Sequence, residues 1–337
     1  MTMEYRILGK TGLKISRLGF GGIPIQRIDA EGTKVLVHQM MEAGINYIDT
    51  ARGYTVSEEY LGYALEGIRD KFIIATKSMS RTKEAMAADI DISLKNLRTD
   101  YIDLYQVHNA TPEQVEQVMA PGGALEALLE AKAAGKIGHI GLTAHSMETF
   151  KMALDLPWVE TFMFPYNIVE TQAEKLIAEC AKRNIGFIDM KPLAGGAIED
   201  ATLALRYICA NDAVTVVIPG MADPKELVQN LAAVNDTTPL TNEEKAAFLE
   251  VRNQLGTNFC RRCNYCQPCT AGVNISGCFL FDGYHQRYGL ADWAKDRYDA
   301  MPKHASDCIG CGACEDRCPY NLPIREMLKK VAEHFGQ

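Results

Sequence analysis

The sequence predicts an α/β protein: a (β/α)8 TIM barrel followed by a small, mainly α-helical and loop domain that is rich in cysteine. Eight short runs rich in Ile, Val, Phe and Leu recur along residues 16–220, as in parallel strands that are buried on both faces. Successive runs start roughly 25 to 30 residues apart, the length of one βα unit. The composition then changes, because nine of the eleven cysteines lie between residues 260 and 318. We therefore expect a barrel over residues 1–250 and a second domain over 251–337.

Each unit of the predicted barrel has a strand run, and most have a helical pattern after it. The strand runs cover residues 16–22, 45–51, 71–77, 101–108, 137–144, 161–167, 185–193 and 213–220. Apolar residues at helical spacing cover 33–44, 57–67, 82–97, 123–135, 173–184 and 223–234, and several of these end in Gly or Asn. Before them, YRILGKTGLKIS predicts a hairpin that turns at Gly9–Gly12 and plugs one end of the barrel. After them we expect helices at 241–255 and 323–335 with a loop-rich segment, 271–293, between them.

Composition excludes several classes of protein. The net charge of −8 and the lack of a basic stripe argue against a nucleic-acid partner. Since no window approaches 18 consecutive apolar residues, the sequence predicts no membrane span. The first residues, MTMEYRILGK, lack the apolar region of a secretory signal, and we expect a cytoplasmic protein.

Four polar residues lie at or just past the ends of the second, third and fourth predicted strands: Asp49, Tyr54, Lys77 and His108. One such residue alone is equally well explained as a polar cap of the barrel rim, but four at consecutive strand ends favour catalysis. A buried Lys77 ammonium would lower the pKa of Tyr54, which could then act as a general acid toward a carbonyl oxygen. Asp49 would keep Lys77 charged, and His108 would donate a second hydrogen bond to that oxygen.

The segments that carry these residues resemble the aldo-keto reductase superfamily. They are INYIDTARGY, SEEYLGYALEG, IIATKS, YIDLYQVH, PYN, MKPLAGG and VIPGMADPKELVQNLAAV, within roughly residues 4–250. The resemblance implies an NAD(P)-dependent oxidoreductase that transfers a hydride between NADP(H) or NAD(H) and a small carbonyl or alcohol substrate. It also implies that the family's catalytic tetrad falls on Asp49, Tyr54, Lys77 and His108, with Tyr54 as general acid and base.

The resemblance further implies a set of cofactor-binding residues: Gly22, Asp49, Thr143, Met163, Met190, Lys191, Leu193, Gly220, Gln229 and Asn230. Some positions depart from the family pattern. Thr143-Ala144 stand where Ser-Asn is usual, Met163 where Gln is usual, and Met190 where an aromatic ring commonly stacks on the nicotinamide. Ordinary barrel packing is the alternative for the two methionines. Glu226 aligns with an Arg that often binds the 2′-phosphate of NADPH, although Lys225 is next to it. A carboxylate would repel that phosphate, so the choice between NADP and NAD stays open.

The second cysteine group has the spacing of a bacterial ferredoxin. Cys308, Cys311, Cys314 and Cys318 follow one another at intervals of three, three and four, and a proline follows the last. This run binds iron–sulfur clusters, and its fourth cysteine ligates the other cluster where two are present. Four thiolates also suit structural zinc, but zinc ribbons usually divide their cysteines two and two.

The first cysteine group is an imperfect copy of the second. Cys260, Cys263, Cys266 and Cys269 lie at equal intervals of three. With the exchanged fourth ligand, one 4Fe-4S cluster takes Cys260, Cys263, Cys266 and Cys318, and the other takes Cys308, Cys311, Cys314 and Cys269. We favour two clusters and keep one cluster as the alternative, with Cys278 as a spare ligand. The tail resembles the ferredoxin-type domain that is fused to one branch of aldo-keto reductases.

Two functions follow from this combination of barrel and clusters. The first is a carbonyl reductase or alcohol dehydrogenase that uses NAD(P)(H), in which the clusters brace the tail or sense redox state. In the second, the clusters rather than nicotinamide supply electrons to an electron-transfer protein or a flavin, so the protein is a ferredoxin-linked oxidoreductase or a redox sensor. A cluster passes one electron at a time whereas a hydride carries two, so nicotinamide would need a converter such as a flavin to exchange electrons with a cluster. A chain that is no longer an enzyme is disfavoured by the intact tetrad.

Overall fold

A computed structural model describes residues 3–256 and 258–337 of the chain. These residues form two compact units. The barrel unit comprises residues up to Asn167, Thr171–Pro192 and Asp200–Leu240, and the cysteine-rich unit comprises Ile168–Glu170, Leu193–Glu199 and Thr241–Gln337. Two short segments from the barrel half of the sequence therefore pack with the tail.

The barrel unit is built on a closed parallel sheet. Among the described residues, eight strands follow the chain order, each paired in parallel with the next. Parallel bridges between Leu18 and Val217 and between Gly21 and Gly220 join the first strand to the last. The predicted (β/α)8 fold class is confirmed. After the β1 and β2 hairpin the strands are β3 (Phe20–Gly21), β4 (Tyr47–Asp49), β5 (Ile73–Ser78), β6 (Ile102–Val107), β7 (Ile137–Thr143), β8 (Thr161–Pro165), β9 (Gly186–Met190) and β10 (Val216–Ile218).

Helices alternate with the strands, as the spacing predicts. They are α1 (Ala30–Glu42), α2 (Ser57–Ala64), α3 (Lys83–Asn96), α4 (Pro112–Met119), α5 (Ala124–Ala133), α6 (Met147–Ala153), α7 (Glu174–Lys182), α8 (Ala201–Cys209) and α9 (Pro224–Asn235). The short helices α4, α6 and α8 are additions to the six predicted ones. Each begins after a capping side chain, Thr111, Ser146 or Asp200, that accepts a hydrogen bond from the first turn. Short 3₁₀ turns lie at Gly9–Thr11, Pro24–Arg27 and Arg69–Lys71.

The predicted hairpin closes the end of the barrel at which the strands begin. Its strands β1 (Tyr5–Ile7) and β2 (Lys14–Ser16) pair antiparallel. Leu8 and Ile15 are fully buried in the cluster that fills the barrel interior. The backbone NH of Lys10 donates to the carbonyl of Asn184, two residues before β9, at 2.7 Å. Because apolar side chains fill this end, we expect ligands to bind at the carboxyl ends of the strands.

The cysteine-rich unit is mainly helical. Its helices are α10 (Asn242–Leu255), α11 (Ile275–Arg287), α12 (Ala291–Asp299), α13 (Ala313–Asp316) and α14 (Ile324–His334), with 3₁₀ turns at Ala194–Gly196 and Ala305–Asp307. The prediction of a loop-rich segment at 271–293 is wrong for most of its length. Asn274 caps α11 through the NH of Gly277, and the apolar face of that helix packs in the core of the unit. Across the part of the chain that the structure describes, no helix has both the length and the apolar character that a membrane crossing requires.

Candidate active site and cysteine cavities

A buried ion pair lies where β4 and β5 end. Asp49 is the last residue of β4, Lys77 lies one residue before the end of β5, and both side chains are almost fully buried. The Lys77 ammonium donates to the Asp49 carboxylate and to the carbonyl of Thr50, the latter at 2.8 Å. Gln106, directly beside Lys77 in the strand register, donates to the second Asp49 oxygen at 3.1 Å. Each charge therefore has the hydrogen-bond partners that burial demands.

Burial and ion pairing shift the pKa values of Asp49 and Lys77 in opposite directions. Loss of hydration lowers the pKa of Lys77 and raises the pKa of Asp49, while the charge of each partner opposes the shift. Each group contacts the opposite charge of the other, and this contact favours the charged forms of both. The ammonium is thus fixed in place.

Tyr54 and His108 lie beside this pair. Tyr54 is half-buried in the loop between β4 and α2, and the Lys77 nitrogen is 4.9 Å from the centroid of its ring. The His108 ring stands edge-on to the Tyr54 ring, with 6.1 Å between centroids and 86° between planes. The structure therefore brings together all four residues that the sequence singles out.

His108 follows β6 and carries an imidazole suited to donating a hydrogen bond. Its pKa is well below the ordinary value, first because of burial and then because of the charges of Lys77, Arg81 and Lys191. The ring is neutral at pH 7 as a result. Its Nδ1 is buried and has no hydrogen-bond partner among the described residues, a state that is costly unless a ligand completes the site.

A second buried network, missed in the sequence, holds the Tyr54 loop. Glu58 on α2 is 1% exposed and pairs with Arg52 at 2.7 Å. Thr76 and Ser93 each donate a hydroxyl to Glu58 at 2.8 Å. The helical pattern could have identified Glu58, because position 58 shares the buried face of α2 with Leu61 and Gly62. An acidic residue on such a face requires partners.

Several predicted cofactor residues lie at the carboxyl edge of the sheet. Gly22 directly follows β3, and its NH donates to the Asp49 carbonyl at 2.8 Å. Thr143 ends β7, and its hydroxyl accepts from the NH of Asn109 at 2.8 Å. Met190 ends β9 and is half-buried, Lys191 follows it, and Gly220 follows β10. Residues at this edge of a barrel line the ligand site.

The remaining predicted cofactor residues have other surroundings. Met163 is fully buried and packs in the barrel interior with Ile188 and Val216. On α9, Gln229 is exposed and Asn230 is buried. Leu193 belongs to the cysteine-rich unit. A part for these residues in cofactor binding stays a prediction.

Glu226 occupies the amino-terminal turn of α9. Its carboxylate accepts from the NH groups of Ala222 at 2.7 Å and Asp223 at 3.1 Å, completing a capping box with Asp223. One of its oxygens is 3.7 Å from the Arg27 guanidinium. The positive end of this helix is therefore already neutralised by a carboxylate.

The cysteines of the tail surround two separate cavities. The first, with an empty volume of about 330 Å³, is lined by Cys260, Cys263, Cys266 and Cys318. The second, of about 320 Å³, is lined by Cys269, Cys308, Cys311 and Cys314. This is the exchanged grouping that the spacing predicts. Cys278 lines neither cavity and packs in the core of the unit, where burial raises its pKa to about 12.

The walls of these cavities fit an iron–sulfur cluster. Ile275 lines both cavities. Gly310 and Gly312 beside the second have φ of 71° and 82°, values that favour glycine. Arg317 donates to the carbonyls of Cys266 and Pro268 at 2.9 and 2.8 Å and so braces the first cysteine loop. Within residues 3–256 and 258–337, no three Cys, His, Asp or Glu side chains converge closely enough to hold a single metal ion, whereas a cluster fills a larger volume.

Comparisons with known proteins match both the barrel and the cysteine-rich tail to known families. Residues 17–202 match the model of the aldo/keto reductase family, and residues 259–322 match a 4Fe-4S dicluster domain. L-galactose dehydrogenase from Arabidopsis thaliana is 27% identical over 307 residues, which cover 74% of this chain and 95% of that protein. Aldo-keto reductase YhdN from Bacillus subtilis is 33% identical over 205 residues, 54% of this chain and 59% of the relative.

A solved structure supports the same assignment. The holo form of an aldo-keto reductase from Bacillus halodurans superposes with a TM-score of 0.65 at 27% identity, covering 74% of this chain and 96% of that one. The family model spans more than half of the sequence. The chain therefore belongs to the aldo/keto reductase family of oxidoreductases and carries a 4Fe-4S dicluster domain.

Proposed function

We propose that the protein is an NAD(P)-dependent reductase or dehydrogenase that interconverts a small carbonyl compound and its alcohol, with Tyr54 as general acid and base. The observation that carries this proposal is the position of Tyr54 between a fixed ammonium, Lys77, and a neutral imidazole, His108. A phenol in such surroundings can deliver a proton to an oxygen that gains negative charge.

Each side chain has a separate role in the proposed reaction. A bound nicotinamide supplies the hydride to the carbonyl carbon, or takes it from the alcohol in the reverse direction. Tyr54 donates its phenolic proton to the carbonyl oxygen, and Lys77 stabilises the phenolate that remains. Asp49 and Gln106 keep the ammonium in position. His108 donates a second hydrogen bond to the substrate oxygen, a role that suits its neutral ring.

We propose that the cofactor binds along the carboxyl edge of the sheet. Thr143, Met190, Lys191 and Gly220 would contact it there, with Gln229 and Asn230 on the adenosine side. Met163, packed inside the barrel, would act through the shape of the site. The carboxylate of Glu226 favours NAD over NADP, because a 2′-phosphate near it would be repelled.

We propose two 4Fe-4S clusters, one in each cysteine cavity. Two cavities of similar volume, each with four cysteines, support this number over one. All eleven cysteines are free thiols, which suits a reducing compartment, and we expect the protein to act in the cytoplasm.

The test is an anaerobic titration of the purified protein with NADH and NADPH, followed by turnover with carbonyl substrates. We expect nicotinamide binding, consumption of the reduced cofactor only when a carbonyl is present, and no bleaching of the cluster absorbance. Absence of both binding and turnover would contradict the proposal.

A second candidate function is ferredoxin-linked electron transfer. It is favoured by one observation: Ile275 lines both cavities, so the cavities are neighbours and clusters in them could exchange electrons. In this case a flavin or an electron-transfer protein would join the clusters to the substrate. Bleaching of the clusters by the reduced cofactor, or turnover that requires a reduced ferredoxin, would support it over the first function.

A further inference from the structure

We propose that the substrate of the barrel site is a carbonyl compound that carries a carboxylate, and that the Arg81 guanidinium attracts and orients this group. The inference rests on the proposed function, since it names the substrate class of the same site. The starting observation is an arginine without an anionic partner beside the tetrad.

Arg81 is held against the loop that carries His108. It lies between β5 and α3, immediately before Thr82, the capping residue of α3. One terminal nitrogen donates to the His108 carbonyl at 2.7 Å and more weakly to the Asn109 carbonyl and the Gln114 side chain. The other donates only to the Ser80 carbonyl, at 3.4 Å. All of these acceptors are neutral.

The positive charge of this guanidinium is therefore uncompensated. No carboxylate lies within ion-pair distance of Arg81 in the described parts of the chain, and its buried Nε has no hydrogen-bond partner there. Burial lowers the pKa of Arg81, and no acidic group opposes that shift. A partly buried guanidinium whose acceptors are all neutral is well placed to pair with an anion.

The charge balance around His108 agrees with a missing anion. Arg81 is one of the cations that lower the pKa of His108, so its charge lies close enough to act on the proposed site. The positive end of α3 begins two residues after Arg81, at Lys83, and adds to this positive charge. In a chain with a net charge of −8, a guanidinium beside the proposed catalytic site that has no carboxylate partner is a local positive charge that favours anionic ligands. A guanidinium also matches the planar geometry of a carboxylate.

The test compares two aldehydes of similar shape that differ in charge, 4-carboxybenzaldehyde and methyl 4-formylbenzoate. For the wild-type protein we expect kcat/KM to favour the acid over the ester by about 10- to 100-fold, the range of a charged hydrogen bond. Arg81→Gln should lower this ratio toward one, and Arg81→Lys should keep part of it. Because the ratio is taken within each variant, damage to the His108 loop cancels. Arg98→Gln, which removes an equal charge from the surface ion pair with Glu66, should leave the ratio unchanged.

A binding measurement separates this inference from the proposed chemistry. Calorimetry should show 4-(hydroxymethyl)benzoate binding at least about tenfold more tightly than the corresponding benzamide, with the difference lost in Arg81→Gln. Such a result without turnover of either aldehyde would overturn the proposed function and leave the anion site standing. Four results would each overturn the anion site. Two concern the ratio of kcat/KM values: a wild-type ratio near one, or an unchanged ratio in Arg81→Gln. The others are weaker NADH binding as the only effect of Arg81→Gln, and no binding of 4-(hydroxymethyl)benzoate or its benzamide.

Discussion

The Lys77 ammonium nitrogen lies 4.9 Å from the centroid of the Tyr54 ring. A cation over the face of a phenol interacts with the ring and favours the ionised hydroxyl. Lys77 is also bound to Asp49 and to the Thr50 carbonyl, and these two contacts hold its ammonium beside the ring. The proposed proton donor thus lies just past the end of β4, and the charge proposed to activate it lies near the end of the adjacent strand β5.

Tyr54→Phe should remove carbonyl reduction while leaving the fold and cofactor binding intact. The change deletes one hydroxyl at a half-buried position, and loss of a positioned general acid costs about 100- to 10,000-fold in rate. Steady-state kinetics and the dissociation constant of the nicotinamide check this. Tyr63→Phe is the matched control, since the Tyr63 hydroxyl contacts Glu31 at the surface. Equal turnover in the two variants would remove Tyr54 from the mechanism.

The Asp49–Lys77 pair should show strong coupling in its effect on stability. Lys77→Met leaves a buried carboxylate without its counter-ion, which costs about 3–5 kcal/mol of the free energy of unfolding. Asp49→Asn leaves the Lys77 ammonium buried without its counter-ion and should destabilise the protein in the same way. The double variant removes both charges and should be destabilised by less than the sum of the single variants. Anaerobic urea unfolding followed by circular dichroism measures all three. Additive losses would mean that the two groups do not pair.

Titration of His108 should not contribute to the pH dependence of kcat near neutrality. Its pKa is held well below the ordinary 6.5 by burial and by three neighbouring cations, so the ring is neutral above that lowered value and stays so from pH 6 to 8. His108→Gln should lower kcat but keep the shape of the pH profile in this window. If the wild-type profile has an inflection near pH 6.5 that His108→Gln abolishes, the neutral-imidazole assignment is wrong.

The strands and the tetrad were predictable because both depend on local signals. Runs of branched apolar residues indicate buried parallel strands, and an ionisable residue that ends such a run, as Lys77 and His108 do, is conspicuous. The cysteine grouping was also predictable, since fixed spacing restricts which thiols can meet. Helices α4, α6 and α8 were missed, although each begins after a capping side chain that the sequence shows.

Other features depend on contacts that no local pattern encodes. The segment Ile168–Glu170 packs in the cysteine-rich unit, where Arg252 donates to the Ile168 carbonyl at 2.7 Å. Gly195 is held there in the same way by Arg287 at 3.0 Å. Partners 84 and 92 residues apart cannot be matched from one sequence. The uncompensated charge of Arg81 likewise becomes visible only when its neighbours are known.

Glu226 should make the protein prefer NADH over NADPH. Its carboxylate occupies the first turn of α9, where a 2′-phosphate would otherwise gain from the helix. Glu226→Gln keeps the capping geometry and removes the charge, so NADPH binding should tighten at least about fivefold with NADH binding unchanged. Fluorescence titration gives both constants. Glu244→Gln, which makes the same change in the capping box of α10, is the control. Tighter binding of NADPH than NADH by the wild type would contradict the prediction.

Paired cysteine substitutions should reveal which thiols share a cluster. Two 4Fe-4S clusters require about eight iron ions per chain, and loss of one cluster leaves about four. Cys318→Ala should remove the cluster of the first cavity, and adding Cys260→Ala should remove no further iron, because both residues line that cavity. Adding Cys308→Ala instead should remove the remaining iron, because Cys308 lines the second cavity.

The reverse pattern would follow if the cysteines grouped as they do in the sequence. Cys308 and Cys318 would then serve the same cluster, so their double variant would keep about four iron ions and Cys318→Ala with Cys260→Ala would keep none. Cys278→Ala is the control for loss of a buried thiol from the same core, and it should retain all the iron. A wild-type content of about four iron ions would reduce the domain to a single cluster. Iron and sulfide analysis of anaerobically purified variants, with electron paramagnetic resonance of the reduced proteins, distinguishes these outcomes.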